Sequence, residues 1–201
     1  MTTIISEFEQ RLYRQGWEIF QQDGIRAFTV ETLAQRLGVS KKTIYKVVKT
    51  REELIERIVT HTLNSIKAGL LGVIGNETDP VQQFITVGEF LATALSRVQV
   101  NRMLELKVRH PRIWKLIEEF RFERREQFAN ILCEAQKQGL LKADLEIDVL
   151  VRLYMYMVNS IFQPEFFAQN NLIIPDTIRL FFKIISEGIF TAEGIKHVES
   201  V

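Results

Sequence analysis

Cys133 is the only cysteine in 201 residues, so no disulfide can form within the chain and the sequence suits a reducing compartment. Four prolines and ten glycines punctuate it sparsely. With apolar residues recurring mostly at intervals of three and four, that scarcity argues for helix nearly throughout. No apolar run reaches membrane-spanning length, and the start MTTIISEFEQRLYRQ lacks the basic residues and apolar core of a signal peptide. The expected address is the cytoplasm, with no membrane partner. Net charge is only +1, which excludes a general polyanion binder. His61, His110 and His197 are far apart and share no metal-ligand spacing with Cys133, and no glycine-rich phosphate loop or GxSxG occurs. No catalytic residue, metal site or cofactor is therefore expected. Cys133, next to Leu132 on an apolar helix, is expected to be a buried core thiol.

Acid is missing locally as well. From Arg36 to Arg51 the charged residues are Arg36, Lys41, Lys42, Lys46, Lys49 and Arg51, all basic. The surrounding stretch, TVETLAQRLGVSKKTIYKVVKTR at 29–51, has the spacing of a helix-turn-helix. Leu33, Leu37, Val39, Ile44 and Val47 form its apolar pattern, with small Ala34 at a close crossing. Gly38 stands where the turn needs a conformation that a side chain would penalise, and Ser40 is a good N-cap for the second helix. A recognition helix enters the major groove by its N-terminal residues. Lys41, Lys42 and Thr43 would thus face bases or phosphates, Tyr45 and Lys46 would point outward beside them, and Ile44 would anchor the helix inward. A helical hairpin with a merely solvated basic face is the alternative.

From about Leu12 to Leu54 the chain runs through an apolar helix ending in FQQDG, then FTVETLAQRLGVS, KKTIYKVVK and the helix start TREEL. In order and spacing these segments resemble the tetracycline-repressor (TetR) family of bacterial transcriptional regulators. The resemblance implies DNA contacts by Thr29, Lys41, Lys42, Thr43, Tyr45 and Arg51. Where the family often carries an aromatic or histidine after the tyrosine, this sequence has Val47 and Val48. Valine cannot donate a hydrogen bond, so that phosphate contact is absent or falls to Lys46 or Lys49.

The remaining pattern reads as an all-α protein, with a helix-turn-helix head at 1–50 and a larger helical effector-binding and dimerisation body at 51–201. The first helix is expected from about Ser6 to Asp23, stopped by Gly24, and the fourth opens at Thr50 in a capping box with Glu53. Further helices are expected at 80–98, 103–108 and, after His110-Pro111, continuously to about Gln138, where ERRE at 123–126 reads as a solvated face. From Leu145 to Phe162 nearly every side of the helix is apolar, and a last helix at about 177–190 carries a second apolar stripe. A helix apolar all round is buried all round. In so small a chain this predicts a second subunit, and the resemblance implies a four-helix dimer interface. Its expected residues are Leu150, Leu153, Tyr154, Met157, Ile161, Ile178, Phe181, Phe182 and Ile185.

The resemblance further implies a repressor released from a palindromic double-stranded operator by a small molecule. Phe84, Met103, Trp114, Ile117 and Phe120 are the candidate pocket lining and suggest an apolar or aromatic effector. A regulator without any effector, and an all-helical small-molecule-binding protein or enzyme, remain the alternatives.

Overall fold

The computed structural model describes residues 6–199, with side chains to residue 196; the side chain of His197 lies outside that range. Among the described residues there is no strand, only an isolated bridge between Leu141 and Phe190. Twelve helices follow one another among the described residues: α1 (Glu7–Ala27), α2 (Val30–Leu37), α3 (Lys41–Tyr45), α4 (Arg51–Gly75), α5 (Pro80–Ala94), α6 (Val100–Arg109), α7 (Pro111–Phe122), α8 (Arg125–Lys137), α9 (Ile147–Ile161), α10 (Pro164–Asn170), α11 (Ile174–Ile189) and α12 (Ala192–Glu199). They form two compact units, one of residues up to Ser65 together with Asn101–Ile117, the other of Ile66–Val100 with Glu118–Val201.

The first unit is built on local signals strong enough to read from sequence. Ser6 caps α1 in a reciprocal box with Glu9: the Glu9 N–H donates to Ser6 Oγ at 3.2 Å, and the Ser6 N–H donates to Glu9 Oε2 at 3.0 Å. Those bonds hold the Glu9 carboxyl below its ordinary pKa, the backbone bond at Ser6 being the largest cause. Gly24 has φ 83° and ψ 168°, a non-helical region open to glycine alone, and interrupts the helix where its stop was expected, with a short helical stretch resuming across the kink to Ala27. Beyond the kink, Phe28 turns back edge-on against Phe20, with ring centroids 4.4 Å apart. Leu12, Ile19, Leu33, Ile44, Leu54, Ile55 and Ile58 close the core. Trp114 is buried in this same cluster, and Met103 and Ile117 pack on it.

Aromatic rings organise the second unit. The Phe84 ring of α5 lies 4.8 Å from Phe182, 5.7 Å from both Phe128 and Phe190, and 6.1 Å from Tyr154. Tyr154 stacks on Phe128 at 3.8 Å, and its burial pushes its hydroxyl pKa well above the usual value. Lys142 ties the segment after α8 to the end of α11, donating to the carbonyls of Glu187 at 3.1 Å and Gly188 at 2.8 Å. A cation is well placed there, at the negative end of a helix.

Several sequence expectations need correction. The helix expected from Pro111 to Gln138 breaks between Phe122 and Arg125. ERRE is not simply solvated: Glu123 is exposed, but Arg124 is withdrawn, its guanidinium 4.8 Å above the Phe120 ring. α9 begins at Ile147, and the side chain of Glu146 before it caps nothing. Cys133 is exposed, because its neighbours Ile131, Leu132 and Ala135 take the inward face of α8.

Candidate nucleic-acid interface

Thr29 caps α2 by accepting from the Thr32 N–H at 3.0 Å, and Ser40 caps α3 by accepting from the Thr43 N–H at 3.2 Å. Between them Gly38 takes the left-handed conformation, φ 67° and ψ 33°, which turns the chain from one helix to the next. Ile44 is fully buried and Val48 is 1% exposed, so α3 is pinned by its apolar side. Lys41, Lys42, Lys46 and Lys49 are exposed, Tyr45 is 48% exposed, and Thr43 is half-buried with its hydroxyl 2.9 Å from Ser40 Oγ. One short helix thus presents Lys41, Lys42 and Tyr45 to solvent, with Lys46 at its C-cap and Lys49 beyond it.

Two of the expected contact residues have partners that the sequence pattern does not reveal. Lys41 is ion-paired with Glu31, reaching across from α2, and this bond is the main cause of the lowered Glu31 pKa. Arg51 turns inward: Nε donates to the Phe28 carbonyl at 3.1 Å and Nη2 to the Ile25 carbonyl at 2.6 Å, with Cζ 5.9 Å from the Phe28 ring. Its guanidinium closes the chain beyond the α1 kink onto the start of α4. Thr50 caps α4 as expected, accepting from the Glu53 N–H at 3.1 Å, but the Glu53 carboxylate accepts from Lys49 N–H at 2.7 Å rather than from Thr50. Val48 belongs to the core, so of the valine pair only half-buried Val47 borders the surface.

Residues 12–58 match the family described as bacterial regulatory proteins, tetR family. Over that segment, which spans the helix-turn-helix, the chain is similar to the N-terminal region of that family. The HTH-type transcriptional regulator YvaF of Bacillus subtilis (strain 168) is 22% identical over 189 residues, covering 92% of this chain and 97% of the relative. The HTH-type transcriptional repressor KstR2 of Mycobacterium tuberculosis (strain ATCC 25618 / H37Rv) is 22% identical over 139 residues, 67% of this chain and 69% of that one. Among solved structures, a regulator from Saccharomonospora viridis in complex with choline has a TM-score of 0.73 at 15% identity, over 93% of this chain and all of the other. Such likeness gives the fold: an all-α chain with an N-terminal helix-turn-helix and a helical C-terminal body. The family and these relatives are regulators rather than enzymes.

In this chain the five candidate lining residues do not share one environment. Phe84 belongs to the aromatic core of the second unit, and Phe120 carries Arg124 on its face. Trp114, Met103 and Ile117 belong to the core of the first unit, where Lys107 lies 5.6 Å from the Trp114 ring. The expected dimer residues divide by face. Tyr154, Ile178, Phe181 and Phe182 are buried inside the protomer, and Leu150, Met157, Ile161 and Ile185 are half-buried. Only Leu153, 56% exposed, faces out. It stands with Val149 and Tyr156 at i, i+4 and i+7 on α9, while α11 turns out Leu180 and Ile184, 57% and 58% exposed. Periodicity finds both stripes but cannot say which meets the protomer's own core.

Proposed function

We propose that this chain is a homodimeric, cytoplasmic repressor that binds a two-fold symmetric operator and leaves it when a small molecule binds in the body. Residues 1–50 then act as the DNA-binding head and 51–201 as the effector-binding and dimerisation body. The observation that carries the DNA-binding half is the capped α3, anchored by Ile44 and presenting Lys41, Lys42, Tyr45 and Lys46 outward. Thr29 and Thr43 border that face, and Lys49 extends it toward phosphate. Pairing of chains is supported by the outward stripes of α9 and α11, which expose more large apolar side chains than scattered surface residues account for. Two-fold pairing is the commonest closed solution, and it sets two recognition helices about one DNA turn apart or a multiple of it. Repression is the activity in the KstR2 name, and the choline complex is a neighbour with a small ligand bound.

The test is selection of bound fragments from random duplex DNA, followed by a screen for compounds that release them. A palindromic selected site, lost to a Lys42→Ala, Tyr45→Ala double variant, supports the reading. Unchanged binding by that variant removes α3 from the interface, and a selected site that no compound releases favours control without an effector.

A further inference from the structure

Arg124 occupies a place that a cation ordinarily avoids. It is the N-cap residue of α8, its backbone is helical (φ −79°, ψ −5°), and its side chain caps nothing. The N-terminal end of a helix is positive, so the guanidinium meets charge of its own sign there. Its side chain is only 17% exposed. Nη2 reaches Glu123 Oε2 at 3.0 Å, yet Nε and Nη1 are buried without a hydrogen-bond partner among the described residues. The Phe120 ring beneath the cation attracts its charge but accepts neither N–H. Buried donors on a charged group are among the costliest to leave unsatisfied, and a fold that keeps them calls for an explanation.

The surroundings supply one. Arg121 lies one turn earlier, its carbonyl accepting from the Arg124 N–H at 3.1 Å. Burial pushes the Arg121 guanidinium down to about 10, with Glu118 acting the other way. Glu118 acts on Arg121, Glu123 pairs with Arg124, and Lys67 Nζ lies 4.0 Å from Glu123. Apolar surface adjoins the Arg124 guanidinium in the ring of Phe120.

We propose that the Arg121–Arg124 corner binds the oxyanion head of a small molecule, a carboxylate or phosphate monoester with an apolar remainder, which accepts from the donors Arg124 leaves open. Calling that molecule the effector rests on the ligand-release reading above; the anion site itself does not. Arginine suits the task because it stays charged when buried and presents several fixed donors.

The experiment is calorimetric titration of the full chain, without DNA, using phenylacetate, octanoate and phenyl phosphate, with phenylacetamide and octanamide as neutral controls. At least one anion should bind the wild type at about millimolar concentration or below and bind Arg124→Gln and Arg121→Gln about tenfold more weakly. The amides should not bind. Unliganded Arg124→Gln should melt no lower than wild type, since the change removes two buried donors that have no partner. Preference between phenylacetate and phenyl phosphate distinguishes the two anion sources. No binding by any anion, equal binding by the variants, or failure of both variants to fold overturns the proposal. Binding that leaves the operator complex unchanged keeps the site and overturns the release reading instead.

Discussion

Replacing Arg51 by Met separates two roles for that residue. The variant keeps an aliphatic stem against Phe28 but deletes the bonds to the Ile25 and Phe28 carbonyls, at 2.6 and 3.1 Å. Hydrogen bonds to a charged group contribute about 1.5–3 kcal/mol each, and the guanidinium over the ring adds about 0.5. Arg51 is half-buried, so the freed carbonyls regain some water. The expected loss is then about 2–3 kcal/mol rather than the full sum. Urea unfolding followed by tryptophan emission reads it directly, because Trp17 and Trp114 both belong to the first unit. With an m-value of about 2 kcal/mol per molar, the midpoint should fall by about 1 M. In DNA binding under conditions where both proteins are folded, the slope of log affinity against log salt should stay the same. A true phosphate contact would flatten it by about one unit. A variant that unfolds within about 0.5 kcal/mol of wild type while losing a unit of slope refutes the reasoning and returns Arg51 to the DNA.

Substitution on the two faces of the expected dimer region should give opposite failures. Leu153→Asp should yield folded monomers by sedimentation, whereas Phe182→Asp, placing a charge at a side chain 5% exposed, should yield unfolded or insoluble protein. Gly24→Ala should destabilise the first unit by about 2 kcal/mol in the same urea assay, since alanine is strained at φ 83° and its Cβ would meet Arg102 Nη1. Glu9 has a folded pKa below its unfolded value, so its contribution is present above pH 4.5 and lost as pH falls through the lower folded value. Ser6→Ala, which removes the hydroxyl bonds but keeps the backbone N–H that is the largest cause of that shift, should cut stability by about 1 kcal/mol at neutral pH and reduce the acid dependence in a thermal melt only in part.

The head was legible because its signals are local. Thr29, Gly38, Ser40 and Thr50 act on backbone groups within four residues, and their chemistry fixes the turns whatever surrounds them. The body was legible only as helix. The runs at 145–162 and 178–189 show apolar stripes, but which stripe meets the protomer's own aromatic core depends on rotations that no local rule encodes. Phe181 and Phe182 therefore turned inward where an interface was expected, and Leu180 and Ile184 turned outward. Trp114 was assigned to a pocket by its neighbours in sequence, yet its burial comes from the first unit's core. Arg124 was hidden by composition, since ERRE looks the same solvated or withdrawn, and only the break before Arg125 shows which it is. Glu31 was missed because the acid-free stretch was counted along the chain, while the carboxylate arrives from the preceding helix.

That last pairing changes how the basic face should be counted. Glu31 serves Lys41 as a resident counterion, so the two together bring almost no net charge to a phosphate. If Lys41 turns to the duplex, the abandoned carboxylate is left beside a polyanion, an arrangement tolerable only where Lys41 gains a well-aligned acceptor. Off-target sequences, lacking that acceptor, would leave the ion pair closed. Neutralising the carboxylate as Glu31→Gln would thus tighten nonspecific binding, steepen its salt dependence by up to about one unit and narrow the gap between operator and bulk DNA.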